Sequence, residues 1–280
     1  MRTGTRLLLT AAALLATSTW LAAGRADAPG LQAPAAIPLA RPAADYVGSQ
    51  ACQSCHEEAY GRWKTSLHIQ MTRPVAEATV LGDFSRDARF SAHGRSYEFG
   101  RRNGKPFVTV SAEGRAAETY QVDYTLGSKR FQGYLATLPG GRIYVLPVFW
   151  HVETKRWLDW KETTPIPDGA HDIKQIWNVN CFNCHATNLE RGYTPATKSY
   201  QTTWTELGIG CEACHGPGRA HVTLAEGWTK DPSTIPTYSS QASNRALSEV
   251  LQIFSPRAAG ERRTFDTCAY CHGNKRNVFT

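Results

Sequence analysis

The residues with the clearest chemical pattern are the cysteines, which all occur as Cys-x-x-Cys pairs followed directly by a histidine. The four motifs read CQSCH, CFNCH, CEACH and CAYCH, and together they use all 8 cysteines. This pattern is typical of c-type haem attachment, because the two thiols add to the haem vinyl groups and the adjacent imidazole binds the iron. The sequence therefore predicts four covalently bound haem c groups. The predicted attachment residues are Cys52, Cys55, Cys181, Cys184, Cys211, Cys214, Cys268 and Cys271, and the predicted proximal iron ligands are His56, His185, His215 and His272.

Two other chemistries use paired cysteines, and the pattern disfavours both. A zinc site draws four ligands from two such halves, but it does not require a histidine directly after every pair. A redox-active dithiol also uses Cys-x-x-Cys, but it has no need of the adjacent histidine. Structural disulfides would not keep a uniform two-residue spacing. Haem attachment is the interpretation that uses every residue of the pattern.

Five of the nine histidines lie outside the motifs and compete for the second axial position of each iron. His68 follows His56 by twelve residues, and if that stretch is helical it spans about 18 Å. His221 follows His215 by six residues, which reach about 20 Å at most when fully extended and would have to round the macrocycle edge. Each is therefore predicted to bind the iron of a different haem. The candidate distal ligands are His68, His93, His171 and His221.

Two further residues are weaker candidates as iron ligands. His151 lies in an aromatic, strand-like stretch, where it is expected to pack in the core. Met71 is the only methionine outside the initiator. A thioether can bind haem iron and raise its potential, but Met71 is expected to fill the core. No catalytic residue is predicted.

The N-terminus has the pattern of a secretory signal peptide over residues 1–28, with Arg2 and Arg6 before an apolar run. An uncleaved membrane anchor is the alternative, because the run of about 17 residues is at the lower limit for crossing a bilayer. Residues 29–46 are rich in Pro and Ala and are predicted to be a flexible leader. Residues 47–280 are predicted to form the tetrahaem cytochrome domain. Export to the periplasm suits this chemistry, because c-type haem is attached outside the cytoplasm; a membrane-anchored or cell-surface location is the alternative.

The net charge of +7 does not indicate a nucleic-acid partner. Removing residues 1–28 takes away three Arg and one Asp and leaves +5. Eight haem propionates and four ferric centres would then bring the oxidised protein to about +1, too little for a basic binding surface. The expected partners are redox proteins that donate and accept electrons, and the oligomeric state is left open.

The elements between the motifs predict a haem-cored fold that is mostly α and loop with an inserted antiparallel β-sheet. The insert covers about 95–152, where aromatic and β-branched residues alternate between turn signals such as RNGK. Four or five strands are expected in one sheet. The stretch after each motif looks helical, most clearly EEAYGRWKTSLHIQM after the first. Large apolar macrocycles would take the place of a conventional core in the rest of the domain.

Several stretches together resemble the cytochrome c-554 (cytochrome c-554 and c-prime) family, which belongs with hydroxylamine oxidoreductase in a wider superfamily. They are YVGSQACQSCHEEAYGRWKTSLH at 46–68, YQVDYTLGSKRFQGYLATLPGGRIYVLPVFW at 120–150, WNVNCFNCHATNLERGY at 177–193, TTWTELGIGCEACHGPGRAHV at 202–222 and DTCAYCHGNK at 266–275. The chain is especially similar to the subgroup whose haem domain precedes tetratricopeptide repeats. The resemblance implies stacked haem pairs with mostly bis-His ligation, and it implies distal roles for His221 in CHGPGxxH and for His68 in Ser-x-His. His93 and His171 match positions where relatives often carry ligands.

The function that follows is electron transfer along a row of haems between two redox partners. Bis-His ligation predicts low potentials relative to Met/His cytochromes. The alternative is a multihaem oxidoreductase that acts on nitric oxide, hydroxylamine or nitrite at one five-coordinate haem. A haem-based sensor is a third and weaker alternative. The chain departs from the family in two ways: no repeat domain follows His272, so a truncated chain or a stand-alone haem module is expected, and no Cys-x-x-Cys-Lys motif supports a lysine-ligated catalytic haem.

Overall fold

The computed structural model describes residues 43–163, 174–236, 250–255 and 261–273. The predicted signal peptide, the leader up to residue 42 and the candidate ligand His171 lie outside these ranges. No helix within them is long and apolar enough to cross a membrane.

The helices of the described ranges are short, and three of them contain haem-motif residues. They are α1 (Glu57–Lys64), α2 (Trp160–Thr163), α3 (Trp177–Asn180), α4 (Phe182–His185), α5 (Cys211–His215), α6 (Arg219–Lys230) and α7 (Glu261–His272). Short 3-10 turns cover Ala43–Asp45, Ser49–Cys52 and Pro232–Thr234. The third and fourth motifs are themselves helical, because α5 consists of CEACH and α7 ends with CAYCH.

The strands of the described ranges form two larger antiparallel sheets and two small pairs. They are β1 (Thr72–Pro74), β2 (Arg89–Ala92), β3 (Arg95–Arg102), β4 (Lys105–Ala112), β5 (Arg115–Gln121), β6 (Tyr124–Leu126), β7 (Phe131–Thr137), β8 (Ile143–His151), β9 (Arg156–Asp159), β10 (Gln175–Ile176), β11 (Ala186–Thr187), β12 (Tyr193–Thr194), β13 (Ser199–Tyr200) and β14 (Glu206–Leu207). The four-stranded sheet has the order β2-β3-β4-β5. The six-stranded sheet has the order β1-β6-β7-β8-β10, with β9 also paired to β8.

The predicted β-insert therefore divides into two sheets instead of forming one. The chain changes sheets at two adjacent residues: Val122 N–H donates to Pro106 O beside the first sheet, and Asp123 N–H donates to Leu135 O in the second. The Asn-Gly turn is present between β3 and β4, with φ of 51° at Asn103 and 77° at Gly104. Both residues must adopt positive φ in the tight turn, which Asn and Gly tolerate best.

The described residues hold more strand than α-helix, which differs from the predicted mostly α and loop fold. Strand β8 shows why the sheets form a conventional core of their own. Its residues alternate between two apolar clusters, with Tyr144, Leu146 and Val148 on one side and Ile143 and Val145 on the other. Because successive strand residues point to opposite faces, one sheet covers both clusters. The β region thus buries apolar surface without any help from a cofactor.

The two apolar clusters differ in composition and in what they pack against. The larger one is aromatic and lies between the sheets, where the rings of Phe99 and Trp157 stack with centroids 3.9 Å apart. The smaller one includes Trp177, which is 1% exposed, together with Ala186 and the partly buried Cys181. The second haem motif is therefore anchored directly against the six-stranded sheet.

The helices predicted after the motifs are only partly present. Helix α1 ends at Lys64, earlier than expected, because the Thr65 hydroxyl donates back to the carbonyls of Gly61 and Arg62 and competes with the helical bonds. His68 consequently lies in a turn beyond the helix, so the distance of about 18 Å along a helix does not apply. Strand β11, not a helix, follows the second motif, while α6 does follow the third after a Gly-Pro-Gly turn.

Candidate haem-binding site

The first and third motifs lie side by side. Cys52 and Cys211 share a thiol–thiol hydrogen bond, which raises the pKa of Cys52 and lowers that of Cys211 to about 7. Ser49, fully buried three residues before the first motif, accepts a hydrogen bond from Cys211 N–H at 2.8 Å and donates one to Glu206 Oε2 at 2.6 Å. The two attachment sites are therefore held together by contacts between residues about 160 positions apart in the chain.

The fourth motif lies near both the third and the second. Burial, and next the neighbouring thiol of Cys268, raises the pKa of Cys214. Burial, and next the thiol of Cys184, raises the pKa of Tyr270. Helices α4 and α7, which carry the second and fourth motifs, are in contact. The first motif therefore adjoins the third, and the fourth lies near the third and the second. The second motif also adjoins the third, because Gly208 N–H donates to His185 O and Gly210 N–H donates to the Thr187 hydroxyl.

The structure brings His221 to the first motif and not to its own neighbour His215. The imidazole rings of His56 and His221 have centroids 6.2 Å apart and an interplanar angle of 25°. A ligating imidazole nitrogen lies about 2.0 Å from its metal and its ring centre about 1.2 Å further, so two axial rings have centroids about 6.4 Å apart. The observed spacing fits one iron between these two rings.

A second histidine pair joins the first motif region to the fourth motif. The rings of His68 and His272 have centroids 6.1 Å apart at an interplanar angle of 75°. This spacing also fits two axial ligands, because each ring can rotate about a common axis without changing the separation. The turn that carries His68 is held in place by Ile209, whose N–H donates to His68 O at 2.9 Å.

Two histidines of the third motif region are oriented by one short segment, residues 250–255. His221 Nδ1 lies 2.8 Å from Leu251 O, and His215 Nδ1 lies 2.9 Å from Phe254 O. A carbonyl oxygen only accepts, so Nδ1 carries the proton in both rings and Nε2 is left to bind a metal. Metal-binding histidines commonly make this second hydrogen bond, which fixes the tautomer and raises ligand basicity.

His185 has a different environment. Burial lowers the pKa of His185 to about 4, which keeps the imidazole in the neutral form that binds metals. Its Nδ1 is buried without a hydrogen-bond partner. The second motif thus presents a neutral imidazole, but it does so without the carbonyl contact that His215 and His221 have.

The surroundings of the fourth motif suit an apolar macrocycle. Phe265, Leu67 and Tyr270 are among the most exposed large hydrophobic residues, at 70%, 45% and 52% of their surface. Each lies within three residues of a motif cysteine or of a paired histidine. Burying such surface against a porphyrin is favourable. With the thiols, the paired imidazoles and these side chains, the residues present fit covalently attached haem.

The remaining candidate ligands have no described contact with a motif. His93 is exposed at the β2–β3 hairpin turn with φ of 50°. His151 ends β8, where it packs against the Phe131 ring and its Nδ1 accepts a hydrogen bond from Thr154 N–H. Met71 O accepts a hydrogen bond from Gly127 N–H beside the sheet. None of the eight cysteines forms a disulfide, and within the described ranges no cluster of three or more His, Cys, Asp or Glu side chains could hold a metal ion.

Sequence reasoning missed the residues that hold the motifs together. Glu212, inside CEACH, is 3% exposed and accepts hydrogen bonds from three backbone N–H groups, one of them shared between its two oxygens. Ser49 lies three residues before Cys52, and Leu251 and Phe254 act through backbone carbonyls. A carboxylate between two haem cysteines was a visible signal for Glu212, whereas nothing in a side chain marks the role of a backbone carbonyl.

Comparison with known proteins confirms the resemblance found in the sequence. The model of the family described as "Cytochrome c554 and c-prime" matches residues 51–85 and 153–216, which include the first three motifs. The match covers about a third of the chain and, together with the four motifs, supports a multihaem c-type cytochrome. No finding bears on the tetratricopeptide-repeat subgroup, which stays a prediction. No curated protein matches the chain significantly.

One solved structure is similar over part of its length. The outer cell wall cytochrome OcwA shares 19% identity with a TM-score of 0.42, and the alignment covers 71% of this chain. It covers 36% of OcwA, so the chain spans about a third of that protein. This TM-score is too low for the likeness to support an argument about fold or function.

Proposed function

We propose that the chain is a periplasmic tetrahaem cytochrome that carries electrons between redox partner proteins along a row of mostly bis-His haems. The observation that carries the proposal is that the four attachment motifs lie close together: Cys211 N–H donates to Ser49 beside the first motif, Gly208 N–H donates to His185 O of the second, and α4 contacts α7. Haems attached at motifs this close together suit electron transfer between a donor and an acceptor. The periplasmic location rests on the signal sequence predicted at residues 1–28.

The axial ligands follow from the two histidine pairs. His56 and His221 would hold the first iron, and His272 and His68 would hold the fourth. In both pairs the distal histidine comes from a segment far from the proximal one in the sequence, so each iron would link two parts of the chain. His93 and His171 remain the predicted distal candidates for the other two haems.

Bound haem supplies reversible one-electron Fe(III)/Fe(II) chemistry, and the residues of the chain set its energy. Carbonyl contacts at Leu251 and Phe254 hold the Nδ1 protons of His221 and His215, so Nε2 of each ring would be free to bind iron. With imidazole ligands, we expect potentials below those of Met/His cytochromes for the first and third haems. The ring of His185, without such a contact, is expected to bind iron less strongly.

The first experiment is to count the haems and to record their spin states. Four haems per chain, with purely low-spin EPR signals and no binding of nitric oxide to the reduced protein, are expected for the carrier. Fewer than four haems would refute the tetrahaem assignment. A high-spin ferric signal with rapid nitric oxide binding would instead support the alternative, a multihaem oxidoreductase acting on a small nitrogen compound.

A variant tests the ligand assignment directly. His221→Ala should convert one haem in four to a high-spin, nitric-oxide-binding form, because His56 would lose its facing imidazole. His151→Ala is the matched control, since His151 packs against Phe131 in the sheet and should leave every haem low-spin. An unchanged spectrum in His221→Ala would refute this pairing.

A further inference from the structure

Glu212 is a buried carboxylate that joins two separate parts of the site. Its Oε1 accepts from Gly218 N–H at 2.7 Å, and its Oε2 accepts from Gly48 N–H at 2.8 Å. Val47 N–H lies between the two oxygens, at 3.0 and 3.2 Å. Each of these bonds comes from the backbone, so the carboxylate fixes the course of the chain at both places.

The backbone at Gly48 and the backbone at Gly218 must lie close together for the His56–His221 pair to form. Gly48 leads into the 3-10 turn Ser49–Cys52, which begins the first motif and its proximal ligand His56. Gly218 is the N-cap of α6, and His221 is the third residue of that helix. The negative carboxylate also lies where helix N–H groups have no helical partner and the helix dipole is positive.

The space around this contact is closely filled. A Cβ atom at Gly218 would lie 3.2 Å from Glu212 Oε1 and 3.2 Å from Val47 Cγ2. Gly48 has φ of 79°, a conformation that side chains other than glycine rarely adopt. Both ends of the contact are thus glycines whose backbone approaches the carboxylate directly.

We propose that Glu212 is a positioning residue for haem ligation: it holds the helix that carries His221 against the first motif, so that His221 faces His56. The inference rests on the proposed function, because it assumes that these two histidines share one iron. Glu212 belongs to the third motif, but its proposed effect is on the haem of the first motif. A glutamate inside one attachment sequence therefore controls the ligation of another.

The test is Glu212→Gln in the full-length holoprotein, with the exposed Glu226→Gln on α6 as the control. Glutamine keeps the shape but offers only one oxygen, so the N–H of Gly48 or of Gly218 loses its acceptor. We expect one haem in four to become partly high-spin and to bind nitric oxide, with all four haems retained. Added imidazole should restore the low-spin spectrum, a rescue that general unfolding would not show.

Further variants separate the possible results. If His221→Ala produces the high-spin haem and Glu212→Gln does not, this inference is wrong while the ligand pairing stands. If His221→Ala changes nothing, the pairing itself fails. Where Glu212→Gln does not mature, Gly218→Ala gives a milder displacement and should show the same high-spin form at a smaller fraction; a fully low-spin spectrum there would overturn the proposal.

Discussion

Replacing Ser49 by alanine tests whether the first and third motifs are held together by the contacts described above. Ser49 is fully buried, and its hydroxyl makes two hydrogen bonds, one to the Glu206 carboxylate and one from Cys211 N–H. The alanine variant leaves a carboxylate oxygen and a backbone N–H without a partner. A hydrogen bond to a charged group contributes about 1.5–3 kcal/mol, and an unsatisfied buried group costs about 1–3 kcal/mol.

We therefore expect Ser49→Ala to lower the free energy of unfolding by about 3 kcal/mol. For a domain of this size, that corresponds to a melting temperature lower by about 6–12 °C. Thermal unfolding of the holoprotein, followed by circular dichroism, measures the shift. Ser91→Ala is the control, because the exposed Ser91 hydroxyl bonds only to Ser96 Oγ on the neighbouring strand.

The control should change the free energy of unfolding by less than about 0.5 kcal/mol. Equal shifts in the two variants would refute the reasoning, because they would show that the buried hydroxyl contributes no more than an exposed one. Loss of the low-spin spectrum without a thermal shift would also contradict it, since the expected effect is on folding stability.

Three other variants extend the test to the sheet and the second motif. Asn178→Ala should lower the unfolding free energy by about 3 kcal/mol, because the buried amide accepts from Ile143 N–H and donates to Gly141 O. In the same denaturant titration, Asn180→Ala should change the unfolding free energy little, because Asn180 is exposed. Gly141→Ala should lower the unfolding free energy by roughly 1–3 kcal/mol more than Gly140→Ala does. Both glycines have φ near 75°, but a Cβ atom at position 141 would lie 2.1 Å from Tyr200 O. Lys174→Met should remove under about 1 kcal/mol of stability at pH 7 and less at acidic pH, since Lys174 lowers the pKa of Glu118 and that part of the stabilisation is lost as pH falls through the folded-state pKa. A loss of stability that grows as the pH falls would contradict this sign.

The local chemistry of the site could be predicted from the sequence. Two thiols and an imidazole within five residues define a c-type haem motif whatever the fold, because the attachment depends on neighbouring side chains only. The stretches rich in aromatic and β-branched residues, with one Asn-Gly turn, similarly indicated antiparallel strands between the first and second motifs. Their division into two sheets was not predictable, since it depends on which strand Asp123 pairs with after Val122.

Only the tertiary structure decided which distant residues face each other. The short spacing of His215 and His221 argued against their sharing one iron. It could not show that His221 lies opposite His56 or that His68 lies opposite His272. Those pairings depend on contacts between segments more than 140 residues apart, such as Trp63 Nε1–H to Ile209 O and Glu212 to Gly48 N–H. Sequence spacing fixes covalent attachment because that chemistry is local, whereas axial ligation and haem order depend on how remote segments pack.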